Sequence, residues 1–266
     1  MKRLHLWEFN ECQFMPQFLR REYSSLLSSL LAPAYRKSAY SLLKVMKRTD
    51  TWSILDIGSG DGDYWKPIAD ELAGLTTEWF KVSCSDKYWI EQNSAGIQTT
   101  SSFVLERESE PIDALRFPVR KYGLVTCFSL LHQLRPSDAR TFIHDVVSAG
   151  NSLVVFEVAD RSFKSLIAIF ASWLALFFFI PFIKPFSFGR FVFFYLIPIL
   201  SLAYLWDAII SQLRAYTDAE VRELSSNLDD LDNEILCFSI GSPNDQLKAW
   251  AIVKGPIGTK EGRNCS

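Results

Sequence analysis

The apolar positions change their spacing several times along the chain, and each change marks an element. Between residues 16 and 48, Phe18, Leu19, Leu26, Leu27, Leu30 and Leu31 recur at helical intervals and the stretch ends in the cationic run KVMKR, so one or two amphipathic helices are expected there. From Thr51 the pattern shortens. TWSILDI is an apolar run ending at an acid and a glycine turn, and DYWKPIADELAG after it returns to helical spacing that Gly74 closes.

The same alternation then repeats. WFKVSCSD, SSFVLE, YGLVTCFSL and NSLVVFEV read as the second to fifth strands, and PSDARTFIHDVVSAG is a helix between the last two. Buried strands separated by helices predict a parallel sheet with helices on both faces. Further on, Thr217 to Glu220 (TDAE) is a capping box that opens the helix AEVRELSSNL. EILCFSI and LKAWAIV, joined by GSPNDQ, then form an antiparallel hairpin, and the polar tail GPIGTKEGRNCS is expected to fray. The fold expected is α/β: a Rossmann-like doubly wound sheet of seven strands with a C-terminal antiparallel hairpin, N-terminal helices and an apolar helical-hairpin insertion. The corresponding units are 1–50 (helical cap), 51–161 with 215–254 (the α/β domain), 162–214 (insertion) and 255–266 (tail).

Composition alters this picture at one place. Hydrophobic residues make up 48% of the 266, with 21 Phe and 8 Trp, and the excess lies between Phe163 and Trp206. The formal net charge is -2, which supplies no basic field for a phosphate backbone, so nucleic acid is not the expected partner. Five cysteines (Cys12, Cys84, Cys127, Cys237, Cys265) without CxxC spacing or nearby histidines signal neither a disulfide framework nor a metal site. MKRLHLWEFNECQF is interrupted by Glu8, Asn10 and Glu11 and has no apolar core of a secretory signal, so the expected location is cytoplasmic.

In ILDIGSGDG, residues 54–62, Asp56 ends the first strand and Gly58, Ser59, Gly60 and Gly62 make the turn into the next helix. Glycines let the backbone adopt conformations closed to other residues and let a ligand approach the main chain. The spacing GSGDGD departs from the GxGxxG of dinucleotide sites. It resembles instead the first motif of the class I S-adenosylmethionine-dependent methyltransferases, an acid followed by GxGxG. That resemblance implies S-adenosylmethionine as cofactor, with Asp56 and the glycines near its amino acid portion. It also implies Asp86, at the end of VSCSD, on the ribose hydroxyls, and Asp113 and Ala114, in PIDALRFP, against the adenine. It covers roughly 52–160 and 215–254.

Ligands of parallel α/β sheets bind beyond the carboxyl ends of the strands. FSLLHQL places Ser129 there as a further cofactor contact and His132 as a candidate base; FEVADRS places Glu157, Asp160 and Arg161. LLHQL is similar to the LHH-type stretch of methyltransferases acting on small lipophilic acceptors, with Gln133 in place of the second histidine. The structural alternatives are that His132 packs locally, that Glu157 caps a helix, and that Asp86 caps a helix opening at KYWIEQ. His5 and His144 have weaker claims. Asp207 and Arg214, in WDAIISQLRAYT, either reach the pocket mouth or form a solvated or ion-paired helix face.

Ser165 to Ile183 and Phe191 to Trp206 carry no charge, and each is near the roughly 20 residues that span a bilayer. A spanning hairpin would carry Lys184 and Arg190 to the far side, against the positive-inside tendency, and Pro181, Pro185 and Pro198 would kink it. A hairpin dipped into one leaflet, with its cations near headgroup phosphates or snorkelling, satisfies both points. A lid over a dry pocket, or a dimer interface, is the soluble alternative. The chain also resembles bacterial methyltransferase-like proteins with such an insertion after the fifth strand and a WD-x-x-x-S-x-LR-x-YT stretch, here Trp206 to Thr217. The function expected is methylation, on oxygen, of a hydrophobic small molecule (polyketide, isoprenoid, quinone or lipid) at the membrane surface. The alternative is a non-catalytic methyltransferase-fold protein, cofactor-sensing or scaffolding, anchored at the membrane.

Overall fold

The computed structural model describes residues 3–12, 14–60, 62–87, 98–184, 186–226, 233–240 and 247–254. GSPNDQ, YWIEQ (88–92), Asp61, Pro185, Cys265 and the tail, on which several expectations fall, lie outside the described residues.

The amphipathic N-terminal stretch is two helices, α1 (Gln17–Arg36) and α2 (Ala39–Thr49). The strand-helix alternation follows as β1 (Ser53–Ile57), α3 (Trp65–Leu75), β2 (Phe80–Ser85), β3 (Gln98–Thr99), β4 (Phe103–Arg107), β5 (Leu124–Phe128), α4 (Pro136–Ser148) and β6 (Ser152–Glu157). Gly74 lies inside α3 rather than closing it, and Thr76 is the C-cap residue. After the insertion come α8 (Asp218–Leu224), β7 (Asn233–Ile240) and β8 (Leu247–Lys254). The capping box forms as spaced: the Thr217 side chain accepts from the Glu220 N–H while the Glu220 side chain takes the Thr217 N–H.

The strands make one sheet in the order β3-β4-β2-β1-β5-β6-β8-β7. Pairings β4-β2, β2-β1, β1-β5 and β5-β6 are parallel, whereas β8 runs antiparallel to both β6 and β7. The count is eight rather than the expected seven. The addition is two-residue β3, antiparallel on the edge of β4, too short to leave a hydrophobic pattern.

Strand alternation divides the core in two. Ile54, Val82, Phe128 and Phe156 face α2 and α3, while Leu55, Val125, Leu153 and Trp250 face α4 and α8. Because the central parallel strands are covered on both faces, β5 and β6 are buried at every position.

The insertion is α5 (Phe163–Phe179), a 3-10 turn at Ile180–Phe182, α6 (Phe188–Phe191) running into a π-helical stretch Val192–Leu196, and α7 (Ile199–Arg214). Pro198 is the N-cap residue of α7, and the two halves of the returning helix meet at 78°. The insertion does not stand free: Leu176, Ile180, Phe194, Leu200 and Ala203 form a third core with Leu19, Tyr23 and Leu26 of α1. Its other side is apolar and exposed. Phe163, Ile167, Phe170, Leu174 and Phe178 make a continuous stripe along α5, joined by Phe179, Phe182, Phe186 and Phe188 at the turn. By length and composition, Phe163–Phe182 is one helix able to cross a bilayer, with 22% of its apolar window buried; the bent pair would make a second if counted as one span. Of the two turn cations, Lys184 is exposed, whereas Arg190 is 2% exposed and folded against α1.

Candidate functional site

The order reverses at β1, with β2 on one side and β5 on the other, and this opens a crevice beyond the carboxyl ends of those strands. Gly58, Gly60 and Gly62 occupy it with φ of 74°, 58° and 74°, the left-handed region that a Cβ disfavours. Gly60 has a second constraint, since a Cβ there would stand 3.2 Å from Ser24 Oγ of α1. The loop thus packs closely against α1 at this point. The loop is pinned to β2: Gly58 and Ser59 donate N–H bonds to the Ser85 carbonyl at 2.8 and 3.1 Å, and Gly60 donates to the Asp86 carboxylate at 2.9 Å. Asp86 is thus joined to the glycine loop, at the end of the strand beside it.

Ser85 Oγ accepts the Ile112 N–H at 2.9 Å and so brings the Asp113–Ala114 turn to the same strand end. Asp113 caps the short turn Ala114–Arg116 through the Leu115 N–H and pairs with the Lys87 ammonium at 2.8 Å. Gly58–Gly62, Asp86, Asp113 and Ala114 are in this way tied into one continuous rim by backbone and side-chain bonds. Ser129, at the end of β5, is held at φ +50° and bonds through its hydroxyl to Tyr35 OH at 2.7 Å. A non-glycine residue held in that conformation is a local strain of the kind that collects at ligand sites.

Asp56 sits differently from its expectation. It is wholly buried and turned into the sheet, accepting from Thr126 Oγ1 at 2.7 Å and Tyr64 OH at 2.5 Å, so it braces the base of the loop rather than facing a ligand. Burial pushes its pKa up to about 7, against the opposing hydrogen bonds from Tyr64 and Thr126. Tyr64 and Tyr35 belong to a ring cluster with Trp65, Phe128 and Phe156 under the crevice, including a stacked Phe128–Phe156 pair at 4.5 Å. Neither tyrosine was legible as a site residue. Tyr35 lies 94 positions from Ser129, and no local pattern marks such a pairing.

His132 and Glu157 are brought together, but as a buried ion pair. Glu157 Oε2 lies 2.8 Å from His132 Nδ1, Glu157 Oε1 accepts the His132 N–H, and Glu8 Oε1 stands 3.6 Å from His132 Nε2. Burial opposes a charge on the ring, yet Glu157 and Glu8 outweigh it and raise its pKa well above the ordinary value. A ring 3% exposed, with a carboxylate at each nitrogen, is not available to take a proton from a substrate, so the role of general base falls away in this arrangement.

Arg214 completes the group. It is wholly buried, 3.4 Å from Glu8 and 2.6 Å from Glu11, and donates to the His132 carbonyl at 3.1 Å. Asp207, 5% exposed, accepts from the Phe9 and Asn10 N–H groups at 2.6 and 3.2 Å and from Tyr23 OH at 2.8 Å. Neither belongs to a solvated face: Asp207 and Arg214 hold the segment Arg3–Cys12 against α7, and Arg214 and Glu8 join it to the turn after β5. Asp160 pairs with Lys248 at 2.7 Å and Arg161 with Glu220. His144 contacts Ser148 and Asp145 on the face of α4, apart from these groups, whereas His5 lies beside the Arg214 group, where burial and then the Arg214 charge lower its pKa.

These buried groups give the fold a definite pH dependence. Burial raises Asp56 and Asp207 to about 7 from 3.8, so the folded chain holds protons that the unfolded chain releases. Their contribution is complete below about pH 4 and is lost as pH rises through 7; the raised His132 loses its own above about pH 6.5. Asp113, where burial is outweighed by the Lys87 hydrogen bond, acts oppositely and weakens the fold in acid. Urea unfolding is expected to give the highest stability at about pH 5 and a decline toward about pH 9. A stability that rises over that interval would contradict the assignment.

Among the described residues no group of His, Cys, Asp or Glu could hold a metal ion. No protein-family model matches the sequence, and no curated protein matches it. Solved structures do. Human N-acetylserotonin methyltransferase in complex with SAM superposes with a TM-score of 0.55 at 11% identity, over 91% of this chain, which spans 58% of that longer protein. The plantazolicin methyltransferase BpumL in complex with SAH gives 0.51 at 12% identity, over 90% of this chain and 97% of that one. Its complex with a monoazolic desmethylPZN analog and SAH gives 0.50 at 14% identity, over 89% and 88%. With the strand order and the loop geometry, the likeness establishes that the chain has the fold of the class I S-adenosylmethionine-dependent methyltransferases.

Proposed function

We propose that the protein is an S-adenosylmethionine-dependent methyltransferase that methylates a hydrophobic small molecule, on oxygen, at the cytoplasmic face of a membrane. The observation that carries the reading is the pinned loop: three left-handed glycines at the switch point, one donating its N–H to the Asp86 carboxylate. The left-handed backbone at these glycines leaves the loop without side chains on the crevice side, which fits close passage of a cofactor along the main chain. Bound S-adenosylmethionine would supply a methyl group on a sulfonium. In this reading 51–161 and 215–254 form its domain, Asp86 takes the ribose hydroxyls, Asp113 and Ala114 flank the adenine, and Gly58, Ser59, Gly60 and Gly62 pass by the amino acid portion. Ser129 would be a further cofactor contact, and Asp56 would act through the loop. The matched methyltransferases in complex with SAM and SAH support the cofactor assignment.

Methyl transfer asks the protein chiefly to align donor and acceptor, so the engagement of His132 does not remove the activity. It does favour acceptors that need no strong base. The exposed stripe on α5 supports acceptor delivery from a lipid phase, because contiguous apolar surface of that extent marks an interaction site.

Incubation of the protein and methyl-labelled S-adenosylmethionine with an apolar lipid and quinone extract, followed by mass spectrometry, is expected to show a labelled acceptor. Binding of cofactor without any labelled product would favour the scaffold reading, and absence of binding would end both. Introducing three charges by Ile167→Glu, Phe170→Glu and Leu174→Glu, all on exposed positions, is expected to abolish flotation with liposomes while leaving the melting temperature nearly unchanged. Undiminished flotation would exclude α5 as the membrane contact.

A further inference from the structure

At the turn of the insertion, the chain folds back on α1 and encloses a cavity of about 420 Å³. Its wall holds two cations, Arg21 and Arg190, the acid Glu22, and the hydroxyls of Ser25 and Ser187. Two positive groups against one negative leave it with a net charge of +1. Arg190 is the unusual member. It is 2% exposed, donates through Nη2 to Ser25 Oγ at 2.9 Å, and stands with Nε 3.8 Å from Glu22 Oε2. Its Nε and Nη1 have no hydrogen-bond partner among the described residues. Glu22 is itself engaged, accepting from Ser187 Oγ at 2.7 Å. A buried guanidinium with unused donors is costly, and an anionic oxygen is the group that would relieve it.

The mouth has opposite character. Phe186 and Phe188, which line the cavity, are 62% and 72% exposed, and exposed Phe178, Phe179 and Phe182 precede them in the turn. A cationic, hydroxyl-lined interior behind an aromatic rim matches an amphiphile whose phosphate enters and whose chains remain outside. We propose that this cavity binds the headgroup phosphate of an anionic phospholipid, with Arg190 as its principal partner, Arg21 as the second cation, and the acyl chains along Phe182, Phe186 and Phe188. The proposal rests on the membrane part of the functional reading and adds a specific lipid chemistry to it.

The test uses the full chain with vesicles of phosphatidylcholine alone, the same vesicles containing phosphatidylglycerol, a short-chain phosphatidylglycerol below its micellar concentration, and inorganic phosphate. Phosphatidylglycerol is expected to raise vesicle partitioning about thirtyfold, the order expected of two arginines at an anionic surface. Arg190→Gln and, as a variant at the cavity mouth that leaves the core intact, Arg21→Gln should each remove most of that gain, while Lys184→Gln, an exposed cation of the same turn, should keep it. Equal loss with Lys184→Gln would mean diffuse surface charge and would overturn the site. So would indifference of the wild-type chain to phosphatidylglycerol, although flotation itself would then leave the membrane reading standing. Calorimetric binding of inorganic phosphate as tight as that of the short-chain lipid would overturn the lipid as its source. Arg190-dependent binding of the short-chain lipid without any vesicle binding would sustain the site and remove the membrane reading.

Discussion

Replacing Asp86 by alanine is expected to weaken S-adenosylmethionine binding by about two orders of magnitude without unfolding the protein. The carboxylate has two tasks in the proposed site. It accepts the Gly60 N–H at 2.9 Å and so sets the position of the loop, and it would accept the ribose hydroxyls. A hydrogen bond to a charged group contributes about 1.5–3 kcal/mol, so loss of a paired contact costs roughly 3 kcal/mol or more. Asp86→Asn separates the two tasks, since its amide oxygen can still take the Gly60 N–H while the charge is lost; an intermediate affinity is expected. Gly60→Val provides an independent check, because it combines a β-branched residue at φ +58° with a Cβ 3.2 Å from Ser24 Oγ. Calorimetry with S-adenosylmethionine and its demethylated product measures all three. An unchanged affinity in Asp86→Ala would place the cofactor elsewhere or nowhere.

Arg214→Ala is expected to destabilise the fold by about 3–5 kcal/mol, the usual consequence of removing one partner from a buried charge group. The side chain is wholly buried among Glu8, Glu11 and the carbonyls of His132 and Leu6. Its removal leaves Glu8, 1% exposed and also facing His132, with uncompensated negative charge. Glu8→Gln combined with Arg214→Met should be less damaging than Arg214→Ala alone, since both charges depart together. Urea unfolding of the single and double variants gives the comparison. Additive losses would show that the pair is not coupled. The same experiment reports on the segment Arg3–Cys12, which α7 holds through Asp207 and Arg214; protease access near that segment should rise with the loss of Arg214.

Much of the frame was legible because it depends on local patterning. Short apolar runs yielded β1, β2, β5 and β6, and TDAE yielded the start of α8, since a capping box needs only four consecutive residues. The glycine loop and Asp86 were legible through spacing, because a strand of fixed rise feeding a turn carries its last acid to a predictable place. β3 was not, having two residues and no period to detect.

Side-chain partnerships across the fold were not legible either. His132 looked like a base by type and position, yet Glu8, 124 positions earlier, and Glu157 decide its state. Arg190 was legible only as a cation in the turn; its burial against Ser25 and Glu22 of α1 was not. Asp56 carried the right motif position but was turned away from the crevice by Thr126 and Tyr64.

By itself, then, the sequence determined the strand-helix order, the glycine turn, the acids at the strand ends and an apolar insertion too rich in aromatic residues to be ignored. Only the tertiary structure decided which of those polar groups face the crevice and which neutralise one another in the core, and which side of the insertion α1 covers. The reason is physical. Backbone conformation and hydrophobic period are set by neighbours a few residues away, whereas burial, charge state and exposure are set by whatever the rest of the chain brings alongside.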